Sequence, residues 1–252
     1  MSMPLEGQAV LVTGASGGIG AAIVERLAAE GARPVIHYGR DKAGAEALLA
    51  RIGGRGWVVQ ADLSAAQGAF DLWRAAVAAA GRIHAVVNNA GMRTEIAVDA
   101  APDDWRAAWQ REFQVNFFAA ADLCKEAIAH FRANGGGRIV NMASRAGQRG
   151  YAAEAMPYGA SKAALVNLTK SIARSFGADG VTAVAIAPGW VRTDMAEDFI
   201  AAHGEQAAVA DIPIGRMAAP AEVAELVAFV LRPSQASLNG ATLDVNGGSY
   251  IR

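Results

Sequence analysis

Short runs of β-branched and other apolar residues alternate with longer Ala-rich stretches along the whole chain, and few architectures accept that rhythm. The runs fall at 9–13, 34–38, 56–60, 85–88, 138–143, 182–186 and 242–245. Helical patterns lie between them at 20–30, 43–52 and 67–80, in a long stretch ending near Asn134, and at 158–176 and 220–231. Strand-length apolar runs separated by helices require crossover connections, hence a parallel sheet covered on both faces. The pattern predicts an α/β fold, a Rossmann-type doubly wound sheet of seven parallel strands with helices on both faces. No linker rich in Pro, Gly or Ser divides the chain, so residues 1–252 read as a single domain. One segment, 189–216, breaks the alternation and contains a short helical piece near 195–203. An excursion beyond a strand's carboxyl end usually covers the ligand crevice in such a sheet.

Composition narrows the function classes. Hydrophobic residues make up 53% of the chain and charged ones 19%, more apolar than an ordinary soluble domain, which suggests surface buried between subunits. A net charge of −1 and the lack of a Lys/Arg block give no footprint for nucleic acid or an anionic membrane. Cys124 is the only cysteine, so an intramolecular disulfide is excluded, and it reads as a small buried apolar residue. Residues 1–7 show no basic start followed by an apolar run, and no apolar stretch approaches the ~20 residues a membrane span needs. A soluble, cytoplasmic protein is expected.

The first run leads directly into Thr13-Gly14-Ala15-Ser16-Gly17-Gly18-Ile19-Gly20 and then a helix. Glycines there permit a tight turn and let a pyrophosphate approach backbone N–H groups at a helix N-terminus, where the dipole favours anions. The spacing Gly-x-x-x-Gly-x-Gly differs from the more familiar Gly-x-Gly-x-x-Gly, and glycine turns alone are common. The end of the second run chooses between cofactors. An acid there would bond the ribose hydroxyl of NAD, but this chain has His37-Tyr38-Gly39-Arg40. Arg40 suits a 2′-phosphate, which favours NADP(H) over NAD(H); the plainer alternative is a solvated Arg40 with Asp41 capping the next helix. Asp62-Leu63 and Asn88-Asn89-Ala90-Gly91 follow the third and fourth runs and so face the same crevice. Singly, each is as readily a cap or turn.

Tyr158-Gly159-Ala160-Ser161-Lys162 is the most informative group. Pro157 suits a helix start, and Tyr158 and Lys162 share one helical face. A free phenol has a pKa near ~10, too high for ready proton exchange at neutral pH; a neighbouring ammonium favours the phenolate. Ser144, just past the fifth run, reaches the same crevice, where a hydroxyl can stabilise developing charge on a substrate oxygen. It reads equally as a turn residue, and Ser161 is its rival. The four histidines are scattered, which disfavours a metal centre or a hydrolytic triad.

With these residues in order, the sequence closely resembles the short-chain dehydrogenase/reductase family over essentially its whole length. The glycine turn, Asp62, Asn88 to Gly91, Asn116, Ser144, Tyr158 with Lys162, and Pro188-Gly189 before Thr193 carry the likeness. The segment Ile212-Pro213-Ile214-Gly215-Arg216-Met217 and the ending Val245-Asn246-Gly247-Gly248 look most like the 3-oxoacyl-[acyl-carrier-protein] reductase branch. The resemblance implies an NADP(H)-preferring oxidoreductase that moves a hydride between the nicotinamide and a small-molecule carbonyl or alcohol. It also implies catalytic roles for Asn116, Ser144, Tyr158 and Lys162. Cofactor contacts would come from Gly14, Ser16, Gly18, Ile19, Gly20, Tyr38, Arg40, Asp62, Leu63, Asn89, Ala90, Gly91, Tyr158, Lys162, Pro188, Gly189, Val191 and Thr193. Family members are usually homotetramers. The alternatives are an NAD-dependent alcohol, polyol or steroid dehydrogenase, and a non-catalytic nucleotide-binding relative, which would have no need of the intact catalytic set. Two departures fall near the substrate entrance: a longer stretch between Asn89 and Asn116, with both Trp105 and Trp109, and a Ser144-to-Tyr158 spacing of 14 positions.

Overall fold

The computed structural model describes residues 3–252, apart from the side chains of Met195, Asp198, Ala202 and His203; Met1 and Ser2, in the stretch read as lacking a secretory signal, lie outside it. Seven strands form one sheet: β1 (Ala9–Val12), β2 (Arg33–Tyr38), β3 (Trp57–Gln60), β4 (Ala85–Asn88), β5 (Gly137–Met142), β6 (Val181–Pro188) and β7 (Thr242–Val245). Their order is β3-β2-β1-β4-β5-β6-β7, and each neighbouring pair is parallel. The doubly wound sheet expected from the alternation is therefore present.

Each strand feeds both faces because successive side chains point to opposite sides. On β1, Val10 and Val12 join one apolar cluster while Ala9 and Leu11 join the other. Helices α1 (Gly18–Ala29), α2 (Lys42–Arg51) and, later in the chain, Pro220–Leu231 cover the first face through Ile23, Leu27, Leu48, Val223 and Val227. Helix α3 (Gly68–Ala80) covers the second through Leu72 and Trp73, joined by Leu123, Phe131 and Ile172 from later helices. Full burial of such side chains contributes about 1.5–3 kcal/mol each relative to exposure, so the two faces act as paired hydrophobic layers.

The chain leaves β1 toward β2 and β3 and resumes at β4 on the other side. That reversal opens a crevice at the carboxyl ends of β1 and β4, where ligands bind in sheets of this kind. Two features of the helices differ from the pattern read in the sequence. The long stretch ending near Asn134 resolves into α4 (Pro102–Phe113), a π-helical turn (Gln114–Phe118) and α5 (Ala119–Ala133). Periodicity does not reveal such a turn, because one added residue only slips the phase of an apolar stripe. The excursion at 189–216 holds the expected helix and a second, shorter one. After α6 (Ala146–Arg149) and α7 (Met156–Phe176), these are α8 (Asp194–His203) and α9 (Glu205–Val209), followed by α10 (Pro220–Leu231). Among the described residues no helix is long and apolar enough to cross a membrane.

Candidate active site

The glycine turn is shaped by close backbone approach. Gly14 has φ 61°, and a Cβ on it would sit 2.9 Å from Ala90 Cα. A Cβ on Gly20 would meet the Gly14 carbonyl at 2.3 Å, so α1 can press against the turn only with glycine there. Thr13 and Asn89 weld the ends of β1 and β4. Thr13 Oγ1 accepts from the N–H groups of Asn89 and Ala90, both at 2.9 Å, and Asn89 Nδ2 donates to the carbonyls of Thr13 and Gly14 at 2.9 and 3.0 Å. Helix α1 begins without a side-chain cap, leaving its first N–H groups free for an anion.

His37, read from the sequence only as part of the second strand, belongs to this scaffold. Its Nδ1 accepts from Gly14 N–H at 3.0 Å and its Nε2 lies 3.1 Å from the Ala61 carbonyl, which makes Nε2 the protonated nitrogen. Burial pushes its pKa down to about 4, so the ring is neutral and ties β1, β2 and β3 together.

Beyond the turn lie two clefts that share Asn89, Gly91 and Met92. The first runs over β2 and β3 and is lined by Gly14, Gly39, Arg40, Asp62, Leu63 and Ala90. Arg40 is exposed there, and its charge, after the hydrogen bonds from Ser64, helps hold the Asp62 carboxyl below its usual range. Asp41 does cap α2, its Oδ1 accepting from Gly44 N–H at 2.9 Å, so the plainer role predicted for that residue coexists with an exposed Arg40. The second cleft is lined by Ile19, Ser144, Tyr158, Lys162, Pro188, Gly189, Val191 and Thr193, together with Arg93, Arg145, Tyr151 and Trp190. Gly18 abuts this wall, its Cβ position 3.5 Å from Thr193 Cγ2, while Ser16 is half-buried in the turn. Tyr38, another expected cofactor residue, is turned away from the clefts. Its side chain packs on the α1/α2 core instead of lining either cleft.

Helix α7 places Tyr158 and Lys162 one turn apart, with Pro157 in its first turn. Lys162 Nζ donates to the Met142 carbonyl at 2.8 Å and lies 5.7 Å from the Tyr158 ring centroid. Burial pulls the Lys162 ammonium down to about 8, against a raising effect of Glu112. Burial also pushes the Tyr158 phenol up to about 12, partly offset by its hydrogen bond with Ser144 and by Arg93. The sequence suggested a phenol made acidic by its lysine. In the structure burial is the largest influence on the phenol, and it favours the protonated form. Ser144 Oγ in turn accepts from Ala146 N–H at 3.1 Å, which fixes it beside the phenol. Ser161, its rival, is fully buried, donates to the Tyr158 carbonyl and accepts from Asn116, so its hydroxyl is engaged away from the cleft.

Asn116 sits in the π-helical turn, 1% exposed. Its Oδ1 accepts from Met92 N–H at 2.8 Å and its Nδ2 donates to the Met92 carbonyl at 2.9 Å and to Glu112 Oε1 at 2.7 Å. A Cβ on Gly91 would touch both Asn116 Oδ1 and Lys162 Nζ at 3.3 Å, so glycine lets these two groups converge. Glu112 was not anticipated from the sequence. It is fully buried, its Oε2 accepting from Thr94 N–H at 2.8 Å, and only its i, i+4 relation to Asn116 could have signalled it.

These features fit a dinucleotide lying along the crevice. The cradle is one that a Cβ at Gly14 would fill, the α1 N-terminus is uncapped, and a proton-carrying pair stands at the far end. The comparisons with known proteins agree. The profile of the family described as Enoyl-(Acyl carrier protein) reductase matches residues 14–250. The chain belongs to the short-chain dehydrogenase/reductase family and is an oxidoreductase that transfers a hydride between a nicotinamide cofactor and a carbonyl or alcohol. Within that family it is 36% identical to the 3-oxoacyl-[acyl-carrier-protein] reductase of Vibrio cholerae, over 99% of this chain and 100% of the relative. It is 35% identical to 3beta-hydroxysteroid dehydrogenase 1 of Eggerthella lenta, over 98% and 95%. A solved short-chain dehydrogenase/reductase from Serratia marcescens superposes with a TM-score of 0.87 at 35% identity, covering 98% of this chain and 99% of that one.

Proposed function

We propose that this oxidoreductase uses NADP(H) in preference to NAD(H) and reduces a carbonyl with Tyr158 as the proton donor. Bound in the crevice, the nicotinamide supplies the hydride in reduction and accepts it in oxidation. Tyr158 gives its proton to the substrate oxygen as the hydride arrives at the carbonyl carbon, and takes one from the alcohol in the reverse direction. Ser144 holds that oxygen and steadies its developing charge. Lys162 binds the ribose hydroxyls and favours the phenolate left behind, and Asn116 holds the groups through which Lys162 is reprotonated. The observation that carries this reading is the convergence of Ser144, Tyr158 and Lys162 where the two clefts meet.

Arg40 supports the choice of NADP(H), because an exposed guanidinium at the end of β2 matches a 2′-phosphate and no acid stands in its place. Asp62 faces the adenine end, and Gly14 to Gly20 with Asn89 to Gly91 follow the cofactor spine. Pro188, Gly189, Val191 and Thr193 flank the nicotinamide end. The similarity to 3-oxoacyl thioester reductases makes such thioesters one substrate class to assay. A single catalytic domain acting in the cytoplasm as a homotetramer completes the proposal. Its support is the half-buried aromatic ladder of α4 and the π-helical turn, running from Trp105 through Trp109 and Phe113 to Phe118, which is 49% exposed. The test is a panel of ketones, 3-oxoacyl thioesters and sugars followed by NADPH absorbance. Consumption of NADPH with one class and slower use of NADH supports the reading; equal use of both cofactors contradicts the preference.

A further inference from the structure

Among the described residues lining the cleft around Tyr158, the charged side chains are Arg93, Arg145 and Lys162, and none is acidic. Lys162 is engaged by the Met142 carbonyl. The two arginines stand elsewhere on the wall. Arginines at 93, 145, 149 and 192 fall in or beside the segments around the crevice, and the structure separates their surroundings. Arg192 pairs with Glu197 and Glu205 and is half-exposed, whereas the side chains of Arg93 and Arg145 are 15% and 4% exposed.

Neither guanidinium is fully matched. Arg145 Nη1 is 3.0 Å from Asp211 Oδ2 yet makes no hydrogen bond, and the same oxygen is taken by Arg149 Nη2 at 2.9 Å. Two guanidinium groups thus share one carboxylate oxygen and leave a positive excess at the cleft wall. Among the described residues, the ion-pair partner of Arg93 is Glu95, two residues along, whose side chain is 62% exposed. With its carboxylate partner mostly in solvent, that pair is weak enough to be exchanged for an anion held inside the cleft. The Arg93 guanidinium lies 5.7 Å from the Tyr151 ring centroid, and that ring lies 5.8 Å from the Tyr158 ring. The cation therefore stands one aromatic ring away from the reacting hydroxyl.

We propose that Arg93 and Arg145 form a carboxylate-binding subsite beside Tyr158, and that the substrate is a short oxo acid or its hydroxy acid. The inference rests on the reductase reading for its chemistry and adds the substrate class. Hydride from NADPH goes to the carbonyl carbon, the proton from Tyr158 goes to the oxygen, and the products are the hydroxy acid and NADP⁺. The remote carboxylate keeps its charge throughout. Its pairing with a fork of guanidinium donors orients the carbonyl toward Ser144.

The decisive comparison sets 4-oxopentanoate against methyl 4-oxopentanoate, and 3-oxobutanoate against its methyl ester and its neutral N-acetylcysteamine thioester. The acids should exceed the neutral partners in kcat/KM by at least about 10-fold, the scale of one charge-assisted hydrogen bond, and lose that margin as salt rises. Arg93→Gln and Arg145→Gln should each lower the acid-to-neutral ratio at least about 10-fold. That ratio is insensitive to general damage, and Arg93, whose partner is exposed, covers the case in which Arg145→Gln fails to fold. Neutral partners reduced as well as the acids, or an unchanged ratio in Arg93→Gln, overturns the subsite. Calorimetry of the NADP⁺ complex with pentanoate and pentanamide reads the subsite without turnover. Tighter pentanoate binding that Arg93→Gln abolishes upholds it even if every carbonyl is inert, in which case the reductase reading is what fails. Equal binding of the two overturns it.

Discussion

Glu112 Oε1 accepts from Asn116 Nδ2 at 2.7 Å while Glu112 Oε2 accepts from Thr94 N–H at 2.8 Å, so one buried carboxylate ties the π-helical turn to the loop after β4. Burial raises its pKa, and its charge raises the proton affinity of Lys162 and of Tyr158. A carboxamide offers only one acceptor for the two donors. Glu112→Gln should therefore lower kcat by about 10-fold, in line with loss of a hydrogen bond to a charged group. The sign for Lys162 follows from the field it loses. Without that charge the ammonium releases its proton more easily, below about 8, and the alkaline limb of the kcat profile for carbonyl reduction moves to lower pH. A variant with reduced kcat and an unmoved alkaline limb would show that Glu112 acts through packing alone.

His37 predicts a distinct dependence of stability on pH. The unfolded chain protonates this ring near 6.5, the folded protein only near 4. Between those values the unfolded state binds the extra proton, so lowering the pH through that window destabilises the fold. The contribution reaches about 3 kcal/mol at pH 4 and vanishes above pH 7. His37→Gln keeps an acceptor for Gly14 and a donor for Ala61 but does not titrate. Urea unfolding at pH 7 and pH 4.5 should show a smaller loss in the variant than in the wild type. Identical losses would place the acid sensitivity elsewhere, for instance in His84 and His130, which burial also lowers.

Arg40→Ala should weaken NADPH binding by about 10-fold or more while changing NADH binding less than about 3-fold, because only NADPH carries the phosphate that a guanidinium pairs with. Fluorescence titration of both cofactors measures the two effects. Equal weakening of the two would remove the phosphate contact from the account.

Most of the fold was legible because a parallel sheet buried on both faces writes itself as uninterrupted apolar runs such as Val10-Leu11-Val12 and Val86-Val87. The expected seven strands were found, with ends moved by a residue or two; β6, for example, runs on to Pro188. The candidate site was legible where residues announce themselves by type and order, as Tyr158 and Lys162 do one helical turn apart. Groups that act through tertiary neighbours were not. Nothing near Glu112 in sequence tells that a π-helical turn directs Asn116 back onto it, and nothing near His37 reveals that Gly14 and Ala61 lie at its two nitrogens. The packing of Tyr38 was hidden in the same way: its ring lies against the α1/α2 core, while Arg40, two residues past the end of β2, is exposed at the cleft. The depth of burial of Tyr158 also lay outside the sequence, since desolvation depends on what surrounds the hydroxyl in three dimensions.

The central claim is that the Tyr158 hydroxyl carries the proton that accompanies hydride transfer. Tyr158→Phe removes that hydroxyl and keeps the ring packed against Tyr151. Single-turnover reduction of a carbonyl substrate by the NADPH complex, with NADPH affinity measured on the same preparation, tests it most directly. The account predicts affinity near that of the wild type and a rate lower by at least ~10²-fold. A variant that reduces the substrate at close to the wild-type rate would contradict it.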